Sequence, residues 1–162
     1  MTRTLLALSA LLLVLPGCDT GEGQNLFFEQ SSFPAQGLTV TDESGTIEDG
    51  SEDPDDWRVA PFFANQVTVR PAFPNPVARN GLVTITVQDT FGDALTGALT
   101  VTGRRDDNRI EALVSDQGPD FYTLTFNPTR LRLTGGETAR LYRVRVFDGQ
   151  QRIVTYGDIL VR

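Results

Sequence analysis

The sequence predicts an all-β protein: an antiparallel β-sandwich of about seven strands, preceded by an acidic, largely irregular segment. Three observations predict it. From Val67 onward apolar residues recur with a period of two, the spacing of a strand with one buried face. Glycine, proline, asparagine and aspartate clusters interrupt this pattern roughly every 8–12 residues, as in sandwiches. No stretch combines helical apolar periodicity with capping residues.

The strands follow in order. Val67-Thr68-Val69-Arg70 alternates. Pro71-Ala72-Phe73-Pro74-Asn75-Pro76 is expected to break pairing, because proline has no amide to donate to a ladder. After the Asn80-Gly81 turn, Val83, Ile85 and Val87 share one face and threonines the other. Gly97 to Thr102 repeats the scheme with Leu99 and Val101 inward, and Arg104 to Asn108 is a charged turn. Arg109 to Ser115 is the next strand. Asp120 to Phe126 follows, with Tyr122, Leu124 and Phe126 on one side, and then Arg130-Leu131-Arg132-Leu133. Leu141 to Phe147 and Gln151 to Tyr156 flank Asp148-Gly149, a dipeptide suited to the positive φ angles of a type I′ hairpin. Gly157 is read as a bulge in the last strand, which Ile159 and Val161 carry onward. Residues 66–162 therefore form the sandwich. They carry none of the Cys-Trp-Cys hallmarks of antibody domains, so the expected fold is an immunoglobulin-like sandwich of the bacterial type. The Phe73-Pro74-Asn75-Pro76 entry, followed by a glycine and an alternating strand, resembles the start of sandwich domains that end many proteins exported by the type IX route. That resemblance implies the fold; with hardly room here for a cargo domain, no sorting role is carried over.

The N-terminus has a different character. Met1 to Thr4 carries one positive charge, Leu5 to Leu15 is apolar apart from Ser9, and Pro16-Gly17 ends the run before Cys18. This is the layout of a secretory signal peptide. The run is shorter than the roughly 20 residues a helix needs to span a bilayer. Leu15-Pro16-Gly17-Cys18 resembles the lipobox of bacterial lipoproteins, with Pro16 departing from the small or β-branched residue usual there. The resemblance implies that residues 1–17 are removed and that Cys18 becomes the lipidated first residue, bearing a diacylglyceryl group and often an N-acyl chain. Two or more chains are what stable anchoring requires, since one acyl chain binds only marginally. The alternative is a core cysteine behind an ordinary signal peptide.

Residues 18–65 are expected to be an acidic tether. Asp19 to Asp56 holds eleven acids and no base, whereas Trp57 to Arg162 holds ten acids and thirteen arginines. Thr20 to Gln24 reads as a flexible spacer and Gly37 to Thr41 as a short strand. Ile47 to Asp56 reads as a solvated loop. Glu48 to Asp56 could alternatively chelate Ca²⁺, but Asp53, Asp55 and Asp56 lack the glycine and spacing of an EF-hand loop. Trp57, Phe62 and Phe63 either dock the segment on the sandwich or, with Tyr122, offer a stacking platform for a ligand.

Enzymatic activity is not expected. The chain has no histidine and no lysine, which excludes histidine acid–base chemistry, Ser-His-Asp triads and lysine Schiff bases. Its one cysteine is assigned to the anchor, so no disulfide and no thiolate metal site follow. No cofactor is expected. Only paired carboxylates remain, and Glu111, Asp116 and Asp120 are read as surface acids rather than a glycosidase pair. A formal charge of −7 and a pI of about 4.5 argue against nucleic-acid binding. Arg130, Arg132, Arg143, Arg145 and Arg152 recur at alternate positions and form either a solvated face or a surface for an acidic partner, which is residues 42–56 of the same chain or an anionic surface polymer. The functional expectation is a membrane-anchored lipoprotein of the bacterial cell envelope, periplasmic or at the cell surface. It would act as a non-catalytic protein-binding or assembly module with an envelope protein or glycan as partner. A carbohydrate- or ligand-binding module using exposed aromatics is the alternative, with a carboxylate-based hydrolase behind it.

Overall fold

A computed structural model describes residues 20–105, 108–109, 113–114, 116–118, 120–127 and 140–162. The described residues include six strands of six residues or more: β1 (Val67–Phe73), β2 (Val83–Asp89), β3 (Thr100–Arg105), β7 (Phe121–Phe126), β8 (Arg140–Phe147) and β9 (Ile153–Val161). Between β3 and β7 lie three short pieces: β4 (Asn108–Arg109), β5 (Leu113–Val114) and β6 (Asp116–Gly118). Among the described residues the expected count of about seven is six, with Asn108–Arg109 and Leu113–Val114 described only as two-residue pieces. Arg130 to Leu133 lies outside the described residues. Two antiparallel sheets form, ordered β1-β2-β7-β6 and β4-β3-β8-β9, with β5 also on β3. This is the A-B-E-D and C-F-G order of the immunoglobulin sandwich.

The period-two faces meet between the sheets. Val83, Ile85, Val87 and Leu124 from one sheet, and Leu99, Val101, Val144, Val146 and Ile159 from the other, are all buried. Burying one such side chain stabilises the fold by about 1.5–3 kcal/mol. Tyr122 packs at the rim of this core.

The last strand is unusual. Residues 153 to 159 of β9 are all buried, although an antiparallel strand at a sheet edge commonly has one wet face. The N-terminal segment covers the second face and, together with Asn75 and Val77, the open edge. Helix α1 (Thr20–Gln30) lies along β9: Gln24 donates to the Ile153 carbonyl, the Phe27 ring sits 4.8 Å from that of Tyr156, and Gln30 reaches Arg143 beside Asp158. Along the edge, Trp57 and Ala60 amides donate to the Tyr156 and Val154 carbonyls. The Asp158 amide donates to Asp56 Oδ1, and the Leu160 amide to Asn75 Oδ1. Asn75 Nδ2 donates to the Asp158 carbonyl, and Val77 bonds both Leu160 and Arg162. From Val154 to Arg162 the edge is filled, so β9 offers no bare ladder to another chain.

Thr20 to Gln24 is the first half of α1 rather than a flexible spacer. With Gly21 and Gly23 its intrinsic helix propensity is low, and buried Phe27 and the Gln24 bonds hold it in place. Gly37 to Thr41 makes no strand; Thr41 alone bridges Ile47 and Asn75. β1 continues through Pro71 to Phe73, with its register slipping between Arg70 and Phe73. The chain crosses at Pro74–Pro76, and Val77 then pairs in parallel with Val161. Gly157 is not a bulge. It pairs in register with Val144, and a Cβ there would fall inside the Trp57 indole. The β8–β9 hairpin is present, but its turn is not type I′. Asp148 Oδ1 accepts the Gln150 and Arg152 amides, and the positive φ falls on Gln151. The aspartate side chain, rather than a glycine backbone, shapes the turn.

Candidate functional site

The residues that join the N-terminal segment to the sandwich form the most developed polar site among the described residues. Asp158 is fully buried on β9. Its two carboxylate oxygens accept Arg143 Nε at 2.7 Å and Nη2 at 2.8 Å, a bidentate pair across neighbouring strands. Oδ2 also accepts the amides of Gln36 and Gly37. Arg143 Nη1 donates to the Gln30 carbonyl and so satisfies an orphan group in the last turn of α1. Asp56 completes the cluster: Oδ2 accepts the Thr39 amide and Oδ1 the Asp158 amide, both at 3.0 Å.

The electrostatics follow from this crowding. Burial, and then the charge of Asp158, push the Asp56 carboxyl up to about 7, although the Thr39 amide works the other way. Burial acts to lower Arg143, but the hydrogen bond and charge of Asp158 outweigh it and hold the guanidinium above its ordinary value.

Above the cluster opens a cleft of about 360 Å³, lined among others by Phe33, Asp53, Asp55, Arg58, Arg143 and Tyr156. The guanidinium carbons of Arg143 and Arg58 lie 4.9 Å and 5.9 Å from the Tyr156 ring centre. Arg58 Nη2 donates to the Tyr156 hydroxyl at 2.7 Å and to Gln30 Oε1. Its ion pair with Asp55, at 3.6 Å on the surface, adds little. The arginines of the cleft are each paired within the chain, and no nucleophile stands beside a base here. Chemically the arrangement is a latch between two parts of the chain.

The residues singled out from sequence are scattered by the fold. Cys18 and Glu111 lie outside the described residues, as do Arg130 and Arg132. Asp116 sits in β6, and Asp120 is exposed with a positive φ. Arg145 lies over the Phe147 ring, and Arg152 is bonded to buried Asp148. Arg143, expected on an outward face, is buried because α1 covers that face. In the acidic run, Glu48, Asp49, Glu52 and Asp55 are exposed, but Asp56 is buried. Asp53 accepts the Asp55 amide. Among the described residues no three acidic, histidine or cysteine side chains converge as a metal site would require. Trp57 and Phe63 dock in the core, while Phe62 is half exposed. Asp158, Asn75 and Asp89 escaped the sequence reading. The available signal was a charged residue, Asp158, inside an otherwise apolar strand.

No protein-family model matches this chain, and no curated protein matches it in sequence. No helix among the described residues is long and apolar enough to cross a membrane.

Proposed function

We propose that this chain is a lipid-anchored lipoprotein of the bacterial cell envelope, acting as a non-catalytic module for binding or assembling envelope components. The observation that carries the reading is the placement of Cys18. It closes the Leu15-Pro16-Gly17-Cys18 motif after an apolar run and lies two positions before α1, which is docked on the sandwich. An acylated Cys18 would lead straight into folded structure. The lack of histidine and lysine, and the use of the buried charges as a latch, favour binding over catalysis.

The test is in-cell cross-linking and pull-down of the wild-type chain beside Cys18→Ser, with the mass of the mature N-terminal peptide measured in parallel. Acylated Cys18 and an envelope protein recovered only with wild type are the expected results. An N-terminal peptide without acyl mass would sink the anchored reading.

A further inference from the structure

We infer that the end of the sandwich carrying Phe62, Phe91 and Phe121 rests on the bilayer that holds Cys18, with these rings at the boundary between headgroups and acyl chains. The inference rests on the lipid-anchor reading and adds an orientation to it.

One residue, Asp19, separates Cys18 from Thr20, so their Cα atoms lie within about 7 Å whatever the backbone does. The anchor therefore emerges where α1 begins. Along α1 the contacts advance in step with β9: Gln24 with Ile153, Phe27 with Tyr156, Gln30 with the Arg143–Asp158 pair. The N-terminus of α1 thus points toward the end where β9 starts.

That same end gathers the exposed phenylalanines. The pairings Val67↔Asp89 and Gln88↔Phe121 bring the start of β1, the end of β2 and the start of β7 to one end, and the β8–β9 turn joins it, the Gly149 amide donating to the Thr96 carbonyl and Arg152 Nη2 to the Ala94 carbonyl in the loop after β2. Phe62 adjoins α1, its amide bonded to Gln24, with Arg152 of the turn 4.6 Å over its ring. The loop bearing Phe91 is tied in through the Thr90 amide to Gln66. Phe62, Phe91 and Phe121 are 44 %, 70 % and 48 % exposed. Aromatic rings of this kind partition into the membrane interface.

The loop with exposed Asp42, Glu43, Glu48 and Asp49 is bonded to the opposite end, where Thr41 pairs with Asn75 and Gly45 packs on Phe73. Resting on the phenylalanine end keeps these acids away from anionic headgroups. No unpaired cation is exposed there among the described residues: the exposed charges nearby are the acids Glu22, Asp93 and Asp120, and Arg152 is held by Asp148. Attraction to anionic lipid would therefore not set the orientation, and raising the salt leaves it unchanged.

The competing posture lies on the flank of α1, where Leu26 and Phe28 are exposed. Single cysteines at positions 91, 121, 28 and 82 separate the two. The lipidated full chain, carrying an environment-sensitive fluorophore at each site in turn, is placed in phosphatidylethanolamine/phosphatidylglycerol vesicles containing nitroxide-labelled lipid. Probes at Phe91→Cys and Phe121→Cys are expected to shift to the blue and lose most of their emission, and the probe at Leu82→Cys, at the far end, to do neither. Quenching at Phe28→Cys without quenching at 91 overturns the orientation, as does equal emission at all four sites. The mass of the N-terminal peptide is read on the same samples. No acyl group on Cys18 overturns the anchor reading and this one together; acylation without quenching at 91 and 121 overturns this one alone.

Discussion

Asp56 and Asp89 are both buried aspartates, and their surroundings drive them in opposite directions. Asp89, at the end of β2, accepts four backbone amides: Phe91 and Gly92 on Oδ1, Ala94 and Leu95 on Oδ2. Burial acts to raise its carboxyl, but the amides of Leu95, Gly92, Phe91 and Ala94 outweigh burial and hold it below the usual carboxylate range. Asp56 accepts two amides and faces the Asp158 carboxylate, so its carboxyl rises to about 7. Burial alone does not decide the sign. The number of donors and the presence of a second acid do. The two sites also differ in range. Asp89 folds a loop two to six residues ahead of it, while Asp56 fastens positions 102 apart.

The hardest way to break the comparison is to remove the cation that makes the long-range site tolerable. Arg143→Met leaves Asp158 buried with only the Gln36 and Gly37 amides. Breaking a buried pair from one side costs about 3–5 kcal/mol. Urea denaturation is expected to show this loss, and adding Asp158→Asn to the same chain should recover part of it. No difference between the single and double variants would mean that the buried charge is not the cause.

The local site should respond next. Asp89→Asn keeps one good acceptor and orphans part of the set of amides, at an expected cost of about 2–3 kcal/mol at neutral pH. The sign of its pH dependence follows from the lowered carboxyl. Stability from Asp89 is present above its unfolded pKa and lost as pH falls through the folded one. Wild type and Asp89→Asn should therefore converge in acid. A gap that persists at the lowest pH where both still fold would contradict the amide account.

A smaller effect tests the packing beside the long-range site. Gly157→Ala places a methyl against the indole of Trp57. Overpacking of this kind costs about 1–3 kcal/mol. Trp57 is the one tryptophan in the chain, so its emission should shift to the red as the ring is displaced toward water. An unshifted spectrum at unchanged stability would show that the ring has room to move.

The same contrast of range explains what the sequence reveals. Alternation is local, and so Val83, Ile85 and Val87, or Tyr142, Val144 and Val146, declare their buried face directly. The hairpin at Asp148-Gly149 was legible in position, but its turn depends on how the Asp148 carboxylate folds back on Gln150 and Arg152. Helix α1 was not legible. Its two glycines hide it, and Gln24 finds its strand partner 129 residues later. The latch was least legible of all, because an acidic loop looks solvated until Asn75, Arg143 and Asp158 arrive from three other parts of the chain.

The finest test of the comparison is pH, applied to the latch alone. With its carboxyl raised to about 7, Asp56 contributes stability that is fully present below its unfolded pKa and is lost as pH rises through about 7. This is opposite in sign to Asp89. The response should be local, because opening the segment relieves the Asp56–Asp158 repulsion without separating the two sheets. Hydrogen exchange at the Thr39 and Asp158 amides, both bonded to Asp56, should gain less protection from the fold as pH is raised from 6 to about 8, once the intrinsic base catalysis of exchange is divided out. Amides of β2 and β7 should not follow. Asp56→Asn should abolish the step and Asp89→Asn should leave it in place. If the step survives in Asp56→Asn, the titrating group is another one, and the two aspartates differ only in the length of chain they join.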